Sequence, residues 1–227
     1  MIRICTSAMM LFFGALCCIA NAADQAVDLG KFSQELQRSE NVAGSFKMIW
    51  WIPTEFWEES FKQAAMTREQ KEGFQKAVND YIVVAVIDGQ INQLGGLTPQ
   101  SAEHVRKNVT VQADDGKPLL PLGDDDVATE TRTLLMMMKP MFGKMLGEFG
   151  KGMELVCFKG KDDSGARLLD PRKKGQLLVS YGGKEYKWRL PLGSLLPPKY
   201  DAESGEKFPG NYLFSPYTGA KLTDKAP

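Results

Sequence analysis

The apolar positions of this chain change their spacing several times, and each change marks an element. Residues 24–41 are polar with a weak helical period at Val27, Phe32 and Leu36, which predicts an N-terminal helix. Phe46 to Ile52 is a strand-like run, unusually aromatic through Trp50 and Trp51. Pro53 and Thr54 then open a helix with Phe56, Trp57, Phe61, Ala64 and Ala65 along one side. Thr67 and Gln70 have the spacing of a capping box, so a further helix should run to about Asn79. Tyr81 to Ile87 is a dense β-branched run and predicts a buried strand, with Asp88-Gly89 as a turn after it.

Beyond this point the pattern is mostly β. Val109 and Val111 alternate with polar residues into the turn Asp114-Asp115-Gly116, and Met153 to Phe158 forms another strand. The clearest signal is a hairpin around Gly182-Gly183. A two-residue loop there sets Val179 against Tyr186 and Leu177 against Trp188 on one face, with Lys187 and Arg189 on the other. A helical insert, roughly Val127 to Phe149, interrupts the strands, and Pro191 to Pro198 reads as a linker. The expected class is therefore α+β: a β-sandwich, immunoglobulin-like in layout, with N-terminal helices, a Met-rich helical insert and a small C-terminal tail. The expected division is a leader at 1–22, a main domain at 23–190, and a linker with tail at 191–227.

The start of the chain bears on location. Met1-Ile2-Arg3 is a short basic lead, Ile4 to Ile19 is apolar, and Ala20-Asn21-Ala22 fits an Ala-x-Ala cleavage site. This is the pattern of a secretory signal peptide cut after Ala22, and the apolar run falls short of the about 20 residues that span a bilayer. The expectation is export to the periplasm or beyond, with no transmembrane segment in the mature chain. Cleavage would remove Cys5, Cys17 and Cys18 and leave Cys157 without a disulfide partner. It would also remove Arg3, leaving 27 basic against 28 acidic residues. That balance gives no electrostatic reason to bind nucleic acid, whose affinity comes largely from neutralising phosphates.

Two short segments of the tail share a layout. Asp201-Ala202-Glu203-Ser204-Gly205 and Ser215-Pro216-Tyr217-Thr218-Gly219 are spaced as two Cys-x-x-Cys-Gly turns. In a zinc ribbon each turn gives two thiolates to a tetrahedral site. Here the four ligand positions are Asp201, Ser204, Ser215 and Thr218, and hydroxyls do not replace thiolates as zinc ligands. From about Pro197 to Leu222 the tail resembles the closing zinc-knuckle segment of bacterial proteins that usually reads Phe-Cys-Pro-x-x-Gly; Phe214, Pro216, Gly219 and Leu222 match that frame. The resemblance implies two facing turns in a compact, metal-free lobe, held together by Tyr200, Phe208, Tyr212, Phe214 and Tyr217. The chain as a whole resembles secreted bacterial proteins of an uncharacterised family, a likeness that implies export and no particular mechanism.

Candidate chemistry is sparse. The single histidine, His104, lies in a polar helical turn, and no Gly-x-Ser-x-Gly elbow is present. Cys157 sits in an apolar strand and reads as a core residue. Asp124-Asp125-Asp126 favours a helix start over a calcium loop, which needs alternating oxygen ligands. In the Met-rich stretch, Met138, Met141 and Met145 have the i, i+3, i+7 spacing that would give Cu(I) three thioethers. Pro140 and Gly143 disturb that helix, and methionine more commonly fills cores and partner grooves. Met136, Met137, Met141 and Phe142 are thus candidates for a partner surface. Trp50, Trp51 and Trp57 read first as core, since aromatics bury large areas, and any of them that faces solvent is a further candidate, stacking on sugars or peptides.

These readings point to an exported, non-enzymatic binding protein of the bacterial cell envelope, without cofactor, whose partner is an envelope protein or glycan. The alternatives are a hydrolase of envelope material using two carboxylates, and a Met-based Cu(I)-binding protein.

Overall fold

The computed structural model describes residues 27–42, 44–62 and 66–227. The leader expected at 1–22 lies outside the described residues, as do Ala64 and Ala65. The fold is a mixed α+β structure with antiparallel sheets.

The larger sheet has five strands. β1 (Gln37–Val42), β2 (Ser45–Trp51) and β3 (Tyr81–Ile91) lie side by side in that order. The far edge of β3 is shared: β6 (Glu154–Lys159) pairs with Tyr81 to Val86, and the short β4 (Leu97–Pro99) pairs with Gly89 to Ile91. The smaller sheet has the order β5 (Val109–Ala113), β7 (Gly175–Tyr181), β8 (Lys184–Leu190).

Side-chain alternation along β2 explains why this sheet is buried on both faces. Phe46, Met48 and Trp50 point one way, and Lys47, Ile49 and Trp51 the other. Trp50 meets Phe56 of α2 (Thr54–Lys62) at 5.5 Å and Phe142 of α5 (Thr129–Leu146) at 5.1 Å between ring centroids. Trp57 of α2 packs on Phe142 and on Phe74 of α3 (Arg68–Val78), and Phe32 of α1 (Leu29–Leu36) meets Phe56. The helices thus cover the Trp50 face with an aromatic layer. On the opposite face Trp51 reaches Trp188 of β8 at 6.4 Å, and the Tyr181 hydroxyl of β7 donates to Asp88 of β3 at 2.8 Å. Both layers belong to one continuous core, and each fully buried large side chain contributes about 1.5–3 kcal/mol.

Local signals account for most element ends. The α3 capping box forms as read: Thr67 accepts from the Gln70 N–H, and Gln70 accepts from the Thr67 N–H. Ser101 caps α4 (Ala102–Asn108) by accepting from the His104 N–H. The hairpin register is Leu177 with Trp188 and Val179 with Tyr186, and both Gly182 and Gly183 take positive φ.

Three expectations are corrected. The N-terminal helix ends at Leu36; Gln37–Val42, read as its continuation, is the edge strand β1, held by backbone pairing to β2 and not by an apolar face of its own. Asp88-Gly89 does not turn; β3 runs through it to Ile91, because Ser45, Phe46 and Lys47 supply a ladder on one side and β4 on the other. The Asp124–Asp126 triplet forms a three-residue 3-10 turn, separate from α5, which begins at Thr129. Pro140 is exposed within α5 and does not break it. After that helix the chain folds straight back: a Cβ on Gly150 would lie 2.6 Å from the Gly143 Cα, so only glycine allows the approach.

The segment 191–198 is tightly held. Leu192 is buried, and the Glu35 carboxylate of α1 accepts from the Gly193 and Ser194 N–H groups at 2.7 and 2.9 Å. Beyond it, β9 (Lys199–Tyr200) pairs with β10 (Lys207–Phe208) to open the tail lobe.

Candidate functional site

The tail is built from two copies of one turn. Shifting from Asp201 to Ser215 carries each hydrogen bond of the first copy onto one of the second. The Asp201 N–H donates to the Glu206 carbonyl and the Ser215 N–H to the Ala220 carbonyl; the Gly205 N–H returns to Asp201 O and the Gly219 N–H to Ser215 O, both at 2.9 Å. Gly205 and Gly219 both have φ of +73°, which favours glycine at the close of each turn. At the first ligand position of each turn a side-chain oxygen does what a thiolate would do toward the backbone. Asp201 Oδ1 accepts from the Glu203 and Ser204 N–H groups at 3.0 Å, and Ser215 Oγ accepts from Tyr217 and Thr218 at 3.4 and 3.3 Å. At the last position of each turn, Ser204 and Thr218 accept from the Glu206 and Ala220 N–H groups, both at 3.2 Å. Thr218 Oγ1 also donates across the gap to Asp201 Oδ2 at 3.4 Å.

The two turns therefore face each other, and of the four positions read as degenerate zinc ligands Asp201 and Thr218 meet across the gap. Asp201 and Ser215 are buried. The N–H groups of Ser204 and Glu203 hold the Asp201 carboxyl below the usual carboxylate range. Of the aromatics expected to stand in for the metal, Phe208 is buried and packs near Tyr212 and Tyr217, whereas Tyr212, Phe214 and Tyr217 leave large areas exposed.

The Met-rich stretch is one helix with a divided character. Thr131, Leu135 and Phe142 are buried, and Leu134, Met138 and Leu146 pack partly against the core. Met136, Met137, Met141 and Met145 are 63%, 62%, 56% and 67% exposed. Met137, Met141 and Met145 recur every fourth residue and so form a stripe along one side. Within the Cu(I) set, Met138 is turned toward the core while Met141 and Met145 are exposed.

Four residues named as partner-surface candidates belong to the interior, which for the three tryptophans is the core reading. Trp50, Trp51 and Trp57 are at most 2% exposed, and Phe142 is buried between Trp50 and Trp57. β2 lies between the helices and the second sheet, so neither face of Trp50-Trp51 reaches solvent.

Buried carboxylates are committed to other partners. Glu55 takes Arg167 in a two-pronged contact (2.7 and 3.3 Å) and Arg172 at 3.3 Å, and Glu59 pairs with Lys62 at 3.0 Å. Burial and the nearby Glu55 charge raise the Glu58 carboxyl. Among the described residues, no group of three or more His, Cys, Asp or Glu side chains is placed to hold a metal ion. Cys157 is buried on β6, and burial pushes its thiol up to about 12; His104 is exposed on α4.

One cleft, of about 360 Å³, was not foreseen from the sequence. It is lined by Glu35 and Arg38 near the α1–β1 junction, by Lys187, Trp188 and Arg189 of β8, and by Leu192 and Asn211. Its residues come from four separate stretches, so no local motif announces it; the one legible hint is the outward alternation of Lys187 and Arg189.

Comparison with known proteins finds no matching family model, no matching curated protein and no matching solved structure.

Proposed function

We propose that the chain is an exported, non-enzymatic binding protein of the bacterial cell envelope that engages its partner through the thioether face of α5. The observation that carries this reading is the exposure of Met136, Met137, Met141 and Met145 on a helix whose other side is anchored by Leu135 and Phe142. A contiguous exposed apolar patch is costly to leave in water and is characteristic of an interaction surface. Flexible, polarizable methionine suits a partner of apolar, irregular shape, which favours a protein over a glycan. In the same reading the leader directs export, and the two sheets joined by Trp51–Trp188 and Tyr181–Asp88 form a sandwich-like body that carries the helices. Of the buried carboxylates that the hydrolase alternative would draw on, Glu55 and Glu59 are engaged in ion pairs. No helix of the described residues is long and apolar enough to cross a membrane.

The test is co-fractionation. The parent chain should run in envelope extracts in a complex larger than itself. A variant carrying Met137→Gln, Met141→Gln and Met145→Gln should keep the parent's melting temperature and run at monomer mass. Equal co-fractionation by both chains would contradict the proposal.

A further inference from the structure

The described methionines fall into distinct populations. Met48 and Met153 are buried in the core, and Met138 packs partly against it. Met136, Met137, Met141 and Met145 are each more than half exposed, and all four lie on α5. An oxidant reaches a thioether through solvent, so exposure sorts these sulfurs by reactivity. Met137, Met141 and Met145 stand about one helical turn apart and Met136 adjoins Met137, which gathers the accessible sulfurs on one element. The Cys157 thiol, a competing target for oxidants, is buried on β6.

Hydrogen peroxide oxidises a thioether by oxygen transfer. The sulfur lone pair attacks one peroxide oxygen, the O–O bond breaks, and the second oxygen leaves as water after taking the proton of the first. Sulfur gives up two electrons and the peroxide is reduced by two. Each conversion replaces a flexible apolar group with a polar sulfoxide that accepts hydrogen bonds. On the open side of α5 water meets that acceptor, and the buried anchors Leu135 and Phe142 are untouched, so the helix keeps its place. Pressed against an apolar partner, the same oxygen would be buried without a donor, which is unfavourable at every converted position. The modification is therefore silent in the free chain and felt in a complex.

We infer that Met136, Met137, Met141 and Met145 form an oxidation site for peroxides, and that their conversion to sulfoxides releases the partner from α5 while the fold stays intact. The release rests on the reading of this face as the binding surface; the site itself rests only on where the four sulfurs lie. The change is reversible by a thiol-dependent methionine sulfoxide reductase, in which two thiols become a disulfide and the sulfoxide oxygen leaves as water.

The experiment treats the purified chain with hydrogen peroxide and follows each methionine by peptide mapping. The four α5 methionines should oxidise about tenfold or more faster than Met48 and Met153, with the melting temperature unchanged. Added to envelope extract after the peroxide is removed, the oxidised chain should run at monomer mass, and treatment with a sulfoxide reductase should restore the complex. Met136→Leu, Met137→Leu, Met141→Leu and Met145→Leu together keep an apolar face without an oxidisable sulfur, so that variant should co-fractionate before and after peroxide. Equal oxidation rates at Met141 and Met48 would overturn the site. Undiminished co-fractionation of the oxidised parent, or an equal loss in the leucine variant, would overturn the release. A parent that does not co-fractionate before treatment contradicts the binding reading and the release with it, while the peptide map still decides the site.

Discussion

Thr218 donates a hydrogen bond to Asp201 across the tail, at two of the four positions where a zinc ribbon places its ligands. A structural zinc contributes on the order of 10 kcal/mol to such a lobe, and a single contact of 3.4 Å does not match that. The lobe is held instead by the repeated backbone bonds of the two turns, the burial of Phe208 and Leu222, and the Tyr200–Thr223 bridge.

The tail should accordingly loosen in acid. The Asp201 carboxyl is held below its ordinary value by the Ser204 and Glu203 amides. Its stabilisation is therefore complete above the unfolded value, about 3.9, and is lost as pH falls through the lower folded value. Amide exchange at Glu203 and Ser204 should accelerate below about pH 4, and Asp201→Ala should show the fast exchange already at neutral pH. Slow exchange at those amides in the Ala variant would contradict this.

Replacing Asp201, Ser204, Ser215 and Thr218 together by cysteine should create a zinc site. The turns already present their first side chains to the i+2 and i+3 amides, as thiolates would require. Cobalt substitution read by its thiolate absorption bands should show one tetrahedral site per chain. A featureless titration would mean that the two turns are similar in their hydrogen bonds only.

Neighbouring residues on α5 should differ sharply. Phe142→Ala empties a space between Trp50 and Trp57 and should cost about 3–5 kcal/mol in urea unfolding. Met141→Ala, one residue away and exposed, should change stability by less than about 0.5 kcal/mol. Similar losses in both would place the helix in a different rotation about its axis.

Glu55→Gln should destabilise the protein by about 3 kcal/mol, the low end for a broken buried pair, since Arg167 is one-third exposed. Arg167→Met added to Glu55→Gln should recover part of the loss. No recovery would indicate that Arg172 alone carries the partnership.

The parts of the fold legible in the sequence are those where periodicity and burial coincide. The 175–190 hairpin was readable because alternation and the Gly182-Gly183 turn specify one register, and β3 because a strand covered on both faces is apolar throughout. β1 was not, because Gln37–Val42 is a polar edge strand defined by its neighbour's backbone. The sequence marked Trp50, Trp51 and Trp57 as core by default but left a solvent-facing subset open, since the second covering layer, β8 with Trp188, comes from more than a hundred residues later. The facing turns of the tail were legible because their spacing is local. The cleft beside β8 was not, because only folding brings Arg38 to the Lys187 carbonyl.

The central claim, that the chain works by engaging a partner through α5, is tested most directly by site-specific photo-crosslinking in cells. A photoreactive residue at Met141 should capture one discrete partner, and the same residue at exposed Glu185 on β8 should not. Adding Met137→Gln and Met145→Gln should abolish the crosslink at 141. Equal capture from positions 141 and 185, or none from 141, would contradict the account.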